Sequence, residues 1–180
     1  MSAWHDRRVP DRVRPLVADD AAEIARLQAA NREFLAPWDA IRPDVFYTEA
    51  GQVVEVQRML EREAEGSIAA RAILDGDGLL AGVIRLNGIT RGAFDSASLG
   101  YWVDRPRNGQ GLASGAVAAV LDLAFGPLRL HRVQAETLRH NGRSQRVLAK
   151  NGFEHIGMAP KYLRIAGEWQ DHDLFQKLAD

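Results

Sequence analysis

The segment Asn108-Gly109-Gln110-Gly111-Leu112-Ala113-Ser114-Gly115 constrains this chain more than any other. It follows a strand-like run that ends at Val103 and opens a helix-like run that starts at Gly111. Glycine at this density lets the backbone turn sharply and approach a neighbour closely. A helix that begins in such a turn leaves its first amides without partners, and their dipoles add to a partial positive charge. A phosphate or pyrophosphate is the natural ligand of that arrangement. A tight strand-to-helix turn without a ligand is the other reading. A P-loop is ruled out, because no Gly-Lys-Ser/Thr ending follows. The dinucleotide fingerprint G-x-G-x-x-G fails at its third position, where Ser114 stands.

The rest of the chain reads as an α+β domain around this loop. Residues 1–11 are polar and expected to be loosely ordered, and residues 12–180 make a single domain. Arg12–Val17 is a short strand that Pro15 marks as an edge or an early end. Asp19 and Asp20 are positioned to cap a helix with Ala22, Ile24, Leu27 and Ala30 as its apolar candidates. Residues 31–42 carry two prolines and read as irregular or broken helix. Thr48–Glu65 is a clearer helix, with Val53, Val56, Leu60 and Ala64 at helical spacing and Gly66 as its stop. Asp75-Gly76-Asp77-Gly78 joins two strands, Ser67–Leu74 and Leu79–Leu86, as a hairpin. Further strands follow at Ala97–Val103 and Arg132–Leu138, helices at Gly111–Phe125 and Ser144–Lys150, and two closing strands between Phe153 and Leu178. Helices packed on a mixed, mostly antiparallel sheet satisfy this order.

Composition narrows the chemistry. The 180 residues carry a formal net charge of −1, which gives no bulk attraction to nucleic acid or an anionic membrane. No apolar stretch approaches the roughly 18 residues of a membrane span. The segment from Met1 to Arg8 lacks the apolar run of a signal peptide. A soluble, cytoplasmic protein is therefore expected. There is no cysteine, so disulfides, thiolate metal sites and a covalent cysteine intermediate are excluded. His172 lies between two aspartates, but in a strand they face away from it, and no metal site is expected.

The glycine loop resembles the pyrophosphate loop of the GNAT acetyltransferase superfamily, Q/R-x-x-G-x-G/A. Gly111 and Ala113 fit, and Asn108 departs from the usual Arg or Gln. Two further segments carry the resemblance. Leu99-Gly100-Tyr101-Trp102-Val103 is similar to the superfamily strand that pairs with the pantetheine arm of coenzyme A. Asn141-Gly142-Arg143-Ser144, leading to Asn151-Gly152-Phe153, is similar to its N-x-x-S/A helix and terminal turn. More narrowly, the chain resembles the ribosomal-protein N-terminal alanine acetyltransferase branch. This rests on residues 31–38, Leu99–Val103, Leu130–Val133 and residues 162–172, which together span most of the chain.

The resemblance implies an acetyl-CoA-dependent N-acetyltransferase. Its donor-binding candidates are Tyr101, Trp102, Val103, Arg107, Asn108, Gly109, Gln110, Gly111, Leu112, Ala113, Ser114 and Asn141, with Arg105 also near the phosphates. Ser144 is implied as the group that protonates the departing sulfur, because Leu148 stands where many members carry a tyrosine. The amine needs a base. Relatives of this branch carry a carboxylate at Lys161, and this chain does not. Glu136 is the alternative carboxylate, beside a water chain or plain selection of the neutral amine. Glu33, Phe34, Trp38, Tyr162, Trp169, Asp171 and His172 are the acceptor-site candidates. The acceptor implied is a protein N-terminus, with a ribosomal protein as the first choice. A small amine such as an aminoglycoside, polyamine or amino acid is the alternative, and a non-catalytic coenzyme A-binding module is a third. Monomer and homodimer both remain open.

Overall fold

The computed structural model describes residues 12–179; the loosely ordered segment expected over residues 1–11 lies outside them. The strands are β1 (Val13–Pro15), β2 (Ala69–Leu74), β3 (Leu80–Thr90), β4 (Ser96–Val103), β5 (Arg132–Leu138), β6 (Glu154–Ile165) and β7 (Glu168–Leu178). They form one sheet in the order β1-β2-β3-β4-β5-β7-β6. Every neighbouring pair is antiparallel except β4 with β5. The helices are α1 (Asp20–Ala30), α2 (Arg32–Leu35), α3 (Glu49–Ala64), α4 (Leu112–Phe125) and α5 (Gly142–Lys150). This is the mixed, mostly antiparallel α+β arrangement expected.

Strand alternation sends side chains to two apolar cores. On one face Ile84, Leu86, Leu99 and Val133 pack with Val117 and Val120 of α4 and Leu148 of α5. On the other face Ala70, Ala72 and Val83 pack with Ile24 and Leu27 of α1 and Val56 of α3. Leu112, Val117, Val120, Leu121 and Ala124, the residues expected to bury in α4, are all inside.

The turns form for local reasons. The Asp75 carboxylate accepts the amides of Asp77 and Leu79 at 3.0 Å each, and Gly78 takes the positive φ that closes the β2–β3 hairpin. Pro15 ends β1, which pairs only with β2 at the sheet edge.

Two helix readings need correction. Asp19 makes no capping hydrogen bond at α1. Asp20 instead accepts the Val17 amide at 2.9 Å and a two-pronged contact from Arg14 at 2.6 and 2.8 Å. Ala22 and Ala30 are exposed, and Ala21, Ile24, Ala25 and Leu27 make the inner stripe. In α3, Val53 and Ala64 also face solvent, and the inner face is Gln52, Val56, Met59 and Leu60. The polar residues on that side are satisfied. Gln52 donates to the Phe46 carbonyl at 2.7 Å, while Glu63 accepts the Ala70 amide at 2.9 Å and the Arg71 guanidinium at 2.7 Å.

The feature that makes a site is the parallel junction. β4 and β5 pair only through Ser96–Ser98 and Arg132–Gln134. Beyond those residues both strands continue, to Val103 and Leu138, without pairing to each other. A wedge opens in the middle of the sheet, and its walls are backbone edges with free amides and carbonyls.

Candidate active site

The glycine loop stands at the end of β4 and leads directly into α4. Gly109 and Gly111 have φ of 82° and 77°, conformations that side chains with a Cβ rarely adopt. Gly111 is the N-cap of α4 and provides no side-chain partner, so the first amides of this 14-residue helix point outward unsatisfied. Beside them runs a groove of about 470 Å³, lined by Asn108, Gly109, Gly111, Ala113, Ser114, Arg143, Arg146 and Lys150. That volume suits a small-molecule site. Ser114 accepts a hydrogen bond from Asn151 at 3.2 Å, which ties the loop's helix to the end of α5. Leu112 is buried in the core and does not line the groove. Gln110 is exposed and does not line the groove.

The cations of the groove differ from those expected. Arg107 is engaged by Asp75 at 2.8 Å and by Asp104 at 2.6 Å. Its guanidinium braces the base of the loop and does not line the groove. Arg105 lies over the Phe34 ring at 5.7 Å. The groove's positive charge comes from Arg143, Arg146 and Lys150, which sequence reading missed as site residues. The signal was present: these cations fall at i, i+3 and i+7 on the helix that follows Asn141, which puts them on one face.

The opening of α5 faces the wedge. Asn141 caps the helix by accepting the Ser144 amide at 3.2 Å. Ser144 Oγ lies 2.9 Å from the hydroxyl of Tyr101, which reaches it from β4 across the mouth of the wedge. Burial pushes the Tyr101 phenol above its ordinary value, partly offset by the Ser144 hydrogen bond. Trp38, Phe34, Trp102, Val103 and Asn141 join Tyr101 and Ser144 in lining one concavity. A second concavity between the splayed strands is lined by Gly100, Tyr101, Glu136, Ser144, Leu163 and His172, with Trp38 at its edge. Glu136, on β5, accepts a hydrogen bond from Ser98 at 2.8 Å.

The acceptor-side candidates divide. Trp38, 5.4 Å from the His140 ring, joins Phe34 on the wall described above. His172 is buried at 3% exposure, with Nδ1 at 2.9 Å from the Gln170 carbonyl and its ring 5.8 Å from Tyr162. Burial and the charge of Glu136 push the Tyr162 phenol up. Tyr162 belongs to a bulge in which the β6–β7 register jumps between Ala159 and Leu163. Asp171 accepts the Lys161 amide there at 2.9 Å, so it supports the bulge. Glu33 and Trp169 line none of these concavities; both are exposed. The Ala166 amide donates to the Asp39 carbonyl at 2.9 Å, which joins the β6–β7 turn to the loop after Trp38. Ile41, Tyr162, Leu163 and Trp169 leave an exposed apolar rim around that junction.

A sheet split at its parallel junction, a glycine loop opening a helix beside the split, and an Asn-capped serine facing it define an acetyltransferase architecture. The chain belongs to the GNAT acetyltransferase family: the family model for the acetyltransferase (GNAT) domain matches residues 12–154. It is an N-acetyltransferase, and acetyl-CoA is the acetyl donor in this family. It is 40% identical over 165 residues to the probable N-acetyltransferase YjcK of Bacillus subtilis, covering 90% of each chain. It is 33% identical over 156 residues to the [ribosomal protein uS5]-alanine N-acetyltransferase of Escherichia coli, covering 86% of this chain and 80% of that protein. Among solved structures, RimJ of Mycobacterium smegmatis in complex with CoA-disulfide superposes with a TM-score of 0.89 at 32% identity, over 93% of this chain and 81% of that one.

Proposed function

We propose that this enzyme acetylates the α-amine of a protein N-terminus, with a ribosomal protein as the first candidate, by direct transfer from acetyl-CoA. The splay of β4 from β5 carries the reading. It supplies a slot, open to both faces of the sheet, in which a thioester and an amine can meet.

The residues present fit the donor. The outward amides at Gly111, Leu112 and Ala113, with the positive end of α4, suit a diphosphate. Arg143, Arg146 and Lys150 supply charge along the same groove. The unpaired edge of β4 at Tyr101, Trp102 and Val103 offers backbone partners to the amides of a pantetheine arm, and Asn141 lies at the same wall. Bound there, acetyl-CoA supplies an activated acetyl group whose sulfur leaves as thiolate.

The chain's own groups handle the protons. Ser144 donates to the departing sulfur as the Tyr101 hydroxyl donates to Ser144, and the phenolate left behind takes its proton back from solvent. The raised phenol pKa keeps Tyr101 protonated at rest and favours that return. Glu136, across the wedge, accepts the proton that the amine releases as its C–N bond forms. With no cysteine in the chain, no acetyl-cysteine intermediate is available, and direct transfer in a ternary complex is the simpler route. The exposed rim of Ile41, Tyr162, Leu163 and Trp169 suits an extended peptide better than a small enclosed amine. The kinship with the uS5-alanine enzyme supports the same acceptor class.

The test is turnover of acetyl-CoA against a library of N-terminal peptides and, in parallel, a panel of small amines. Acetylation of peptides with a small first residue is the expected result. Turnover confined to small amines overturns the reading.

A further inference from the structure

Arg85 lies on β3 opposite Gly100 of β4. Alternation puts it on the face of Val83, two residues earlier, and puts Gly100 on the face of Trp102; both Val83 and Trp102 belong to the core beneath α1 and α3. A guanidinium carries five donors and stays charged in proteins. Among the described residues, that of Arg85 meets no carboxylate and donates only to the Met59 thioether, at 3.7 Å. Two other half-buried arginines are paired: Arg71 holds Glu63, and Arg107 holds Asp75 and Asp104. Arg132, whose buried Nε also has no partner, lines none of the concavities described. Burial pulls the pKa of Arg85 down, Arg42 and Arg62 add to the effect, and Asp39 and Glu55 oppose it. A desolvated cation that cannot shed its proton is stabilised by an anion.

The cavity beside Arg85 is lined by Gln28, Asp39, Arg42, Gly100 and Trp102, among others. Arg42 already grips Asp39 with two contacts at 3.1 Å. Among the groups that line this cavity, two cations face one carboxylate, and the one left over is Arg85; Glu55, outside the lining, is held by Arg58 at 2.9 Å. Trp38, Gly100 and Tyr101 line both this cavity and the one that holds Glu136 and Ser144. The unpaired cation therefore sits next to the point of acetyl transfer, on the side away from the phosphate groove.

We propose that Arg85 is the carboxylate-binding group of the acceptor site, so that the enzyme selects amines that carry an acid a short distance from the nitrogen. β3 and β5 are two strands apart, so the backbones that carry Arg85 and Glu136 lie about 10 Å or more apart. A peptide advances about 3.3 Å per residue, so an aspartate or glutamate at its second or third position spans that gap. This placement rests on the protein-acceptor reading above; for a small acceptor the same cation takes the molecule's own carboxylate.

The experiment compares kcat/KM for alanine-first peptides that differ only in glutamate against glutamine at positions two and three, with free amino acids and their amides as a second arm. The wild type is expected to favour the acidic member by roughly 10-fold or more, expressed mainly in KM. The preference ratio should collapse in Arg85→Gln and turn toward lysine-bearing peptides in Arg85→Glu. Partial retention in Arg85→Lys would mark charge, not packing, as the cause. Equal turnover of acidic and amide acceptors by the wild type overturns the inference and leaves the protein-acceptor reading intact; this arm needs no variant to fold. Arg85-dependent selection among free amino acids with no peptide turnover supports the carboxylate site and overturns the protein acceptor. A preference that survives in Arg85→Gln overturns the assignment to Arg85.

Discussion

Ser144 and Tyr101 share one hydrogen bond, so their two hydroxyls have one proton left to direct elsewhere. On the proposed mechanism, removing Ser144 breaks the path to the sulfur while the groove is left in place. Ser144→Ala should lower kcat by about 10²-fold or more, with acetyl-CoA affinity by calorimetry close to wild type. Glu136→Gln should slow turnover in a different way. An amide takes no proton, so its defect should shrink as rising pH makes neutral amine abundant. A defect that is constant with pH would remove Glu136 as the base. That Ser144 and Asn141 line the concavity was legible because the spacing around Asn141 resembles a known helix start, and Glu136 because it stands five residues earlier on the preceding strand. Tyr101 was expected at the donor's backbone edge; its role as partner of Ser144 was not legible. They are 43 residues apart, and only the register of β4 against α5 makes them neighbours.

At the scale of elements, the loop and its helix act together. Gly111 has a positive φ and sits where the free amides of α4 begin. Gly111→Asp adds strain and puts a carboxylate into a nest of donors. Acetyl-CoA affinity should fall by about 100-fold or more, a loss of about 2.7 kcal/mol. An unchanged affinity in a folded variant would take the loop out of the site. This loop could be read from sequence because glycine and the strand-to-helix switch are local signals. The phase of α3 could not. Residues 53, 56, 60 and 64 and residues 52, 56, 59 and 63 are both helical stripes through Val56. The second stripe faces inward because Gln52 and Glu63 find partners in the Phe46 carbonyl, the Ala70 amide and Arg71, none of which a helix pattern reveals.

Across the whole molecule, a polar tie runs beneath the loop. Asn31 at the end of α1 donates to the Leu27 carbonyl and to Asp104, and accepts the Arg105 amide. Asp104 in turn holds Arg107, which also grips Asp75 in the β2–β3 turn. Arg107→Ala would leave two poorly exposed carboxylates without their cation. A loss of stability is expected, read as a fall in Tm of about 2–4 °C or more. Acid stability should depend on Asp20. Burial raises its pKa, but the Arg14 hydrogen bonds and the Val17 amide outweigh this and hold the carboxyl below its ordinary value. A depressed carboxylate stabilises the fold above its unfolded pKa and loses that contribution as pH falls through the folded value. Denaturant titrations should therefore show Asp20→Asn less stable than wild type near neutrality, with the gap closing below about pH 4.

The split between β4 and β5 has a consequence for solvent exchange. A sheet's interior amides ordinarily exchange only when the fold opens. Here the β5-facing amides of β4 beyond Ser98 lie mid-sheet yet have no partner strand. In the free enzyme they should take up deuterium at rates closer to loop amides than to those facing β3. Saturating acetyl-CoA should slow them selectively, and amides in β2 should keep their rate. Hydrogen-exchange mass spectrometry over residues 99–103 reads that difference directly, and equal protection with and without donor would place the pantetheine arm elsewhere.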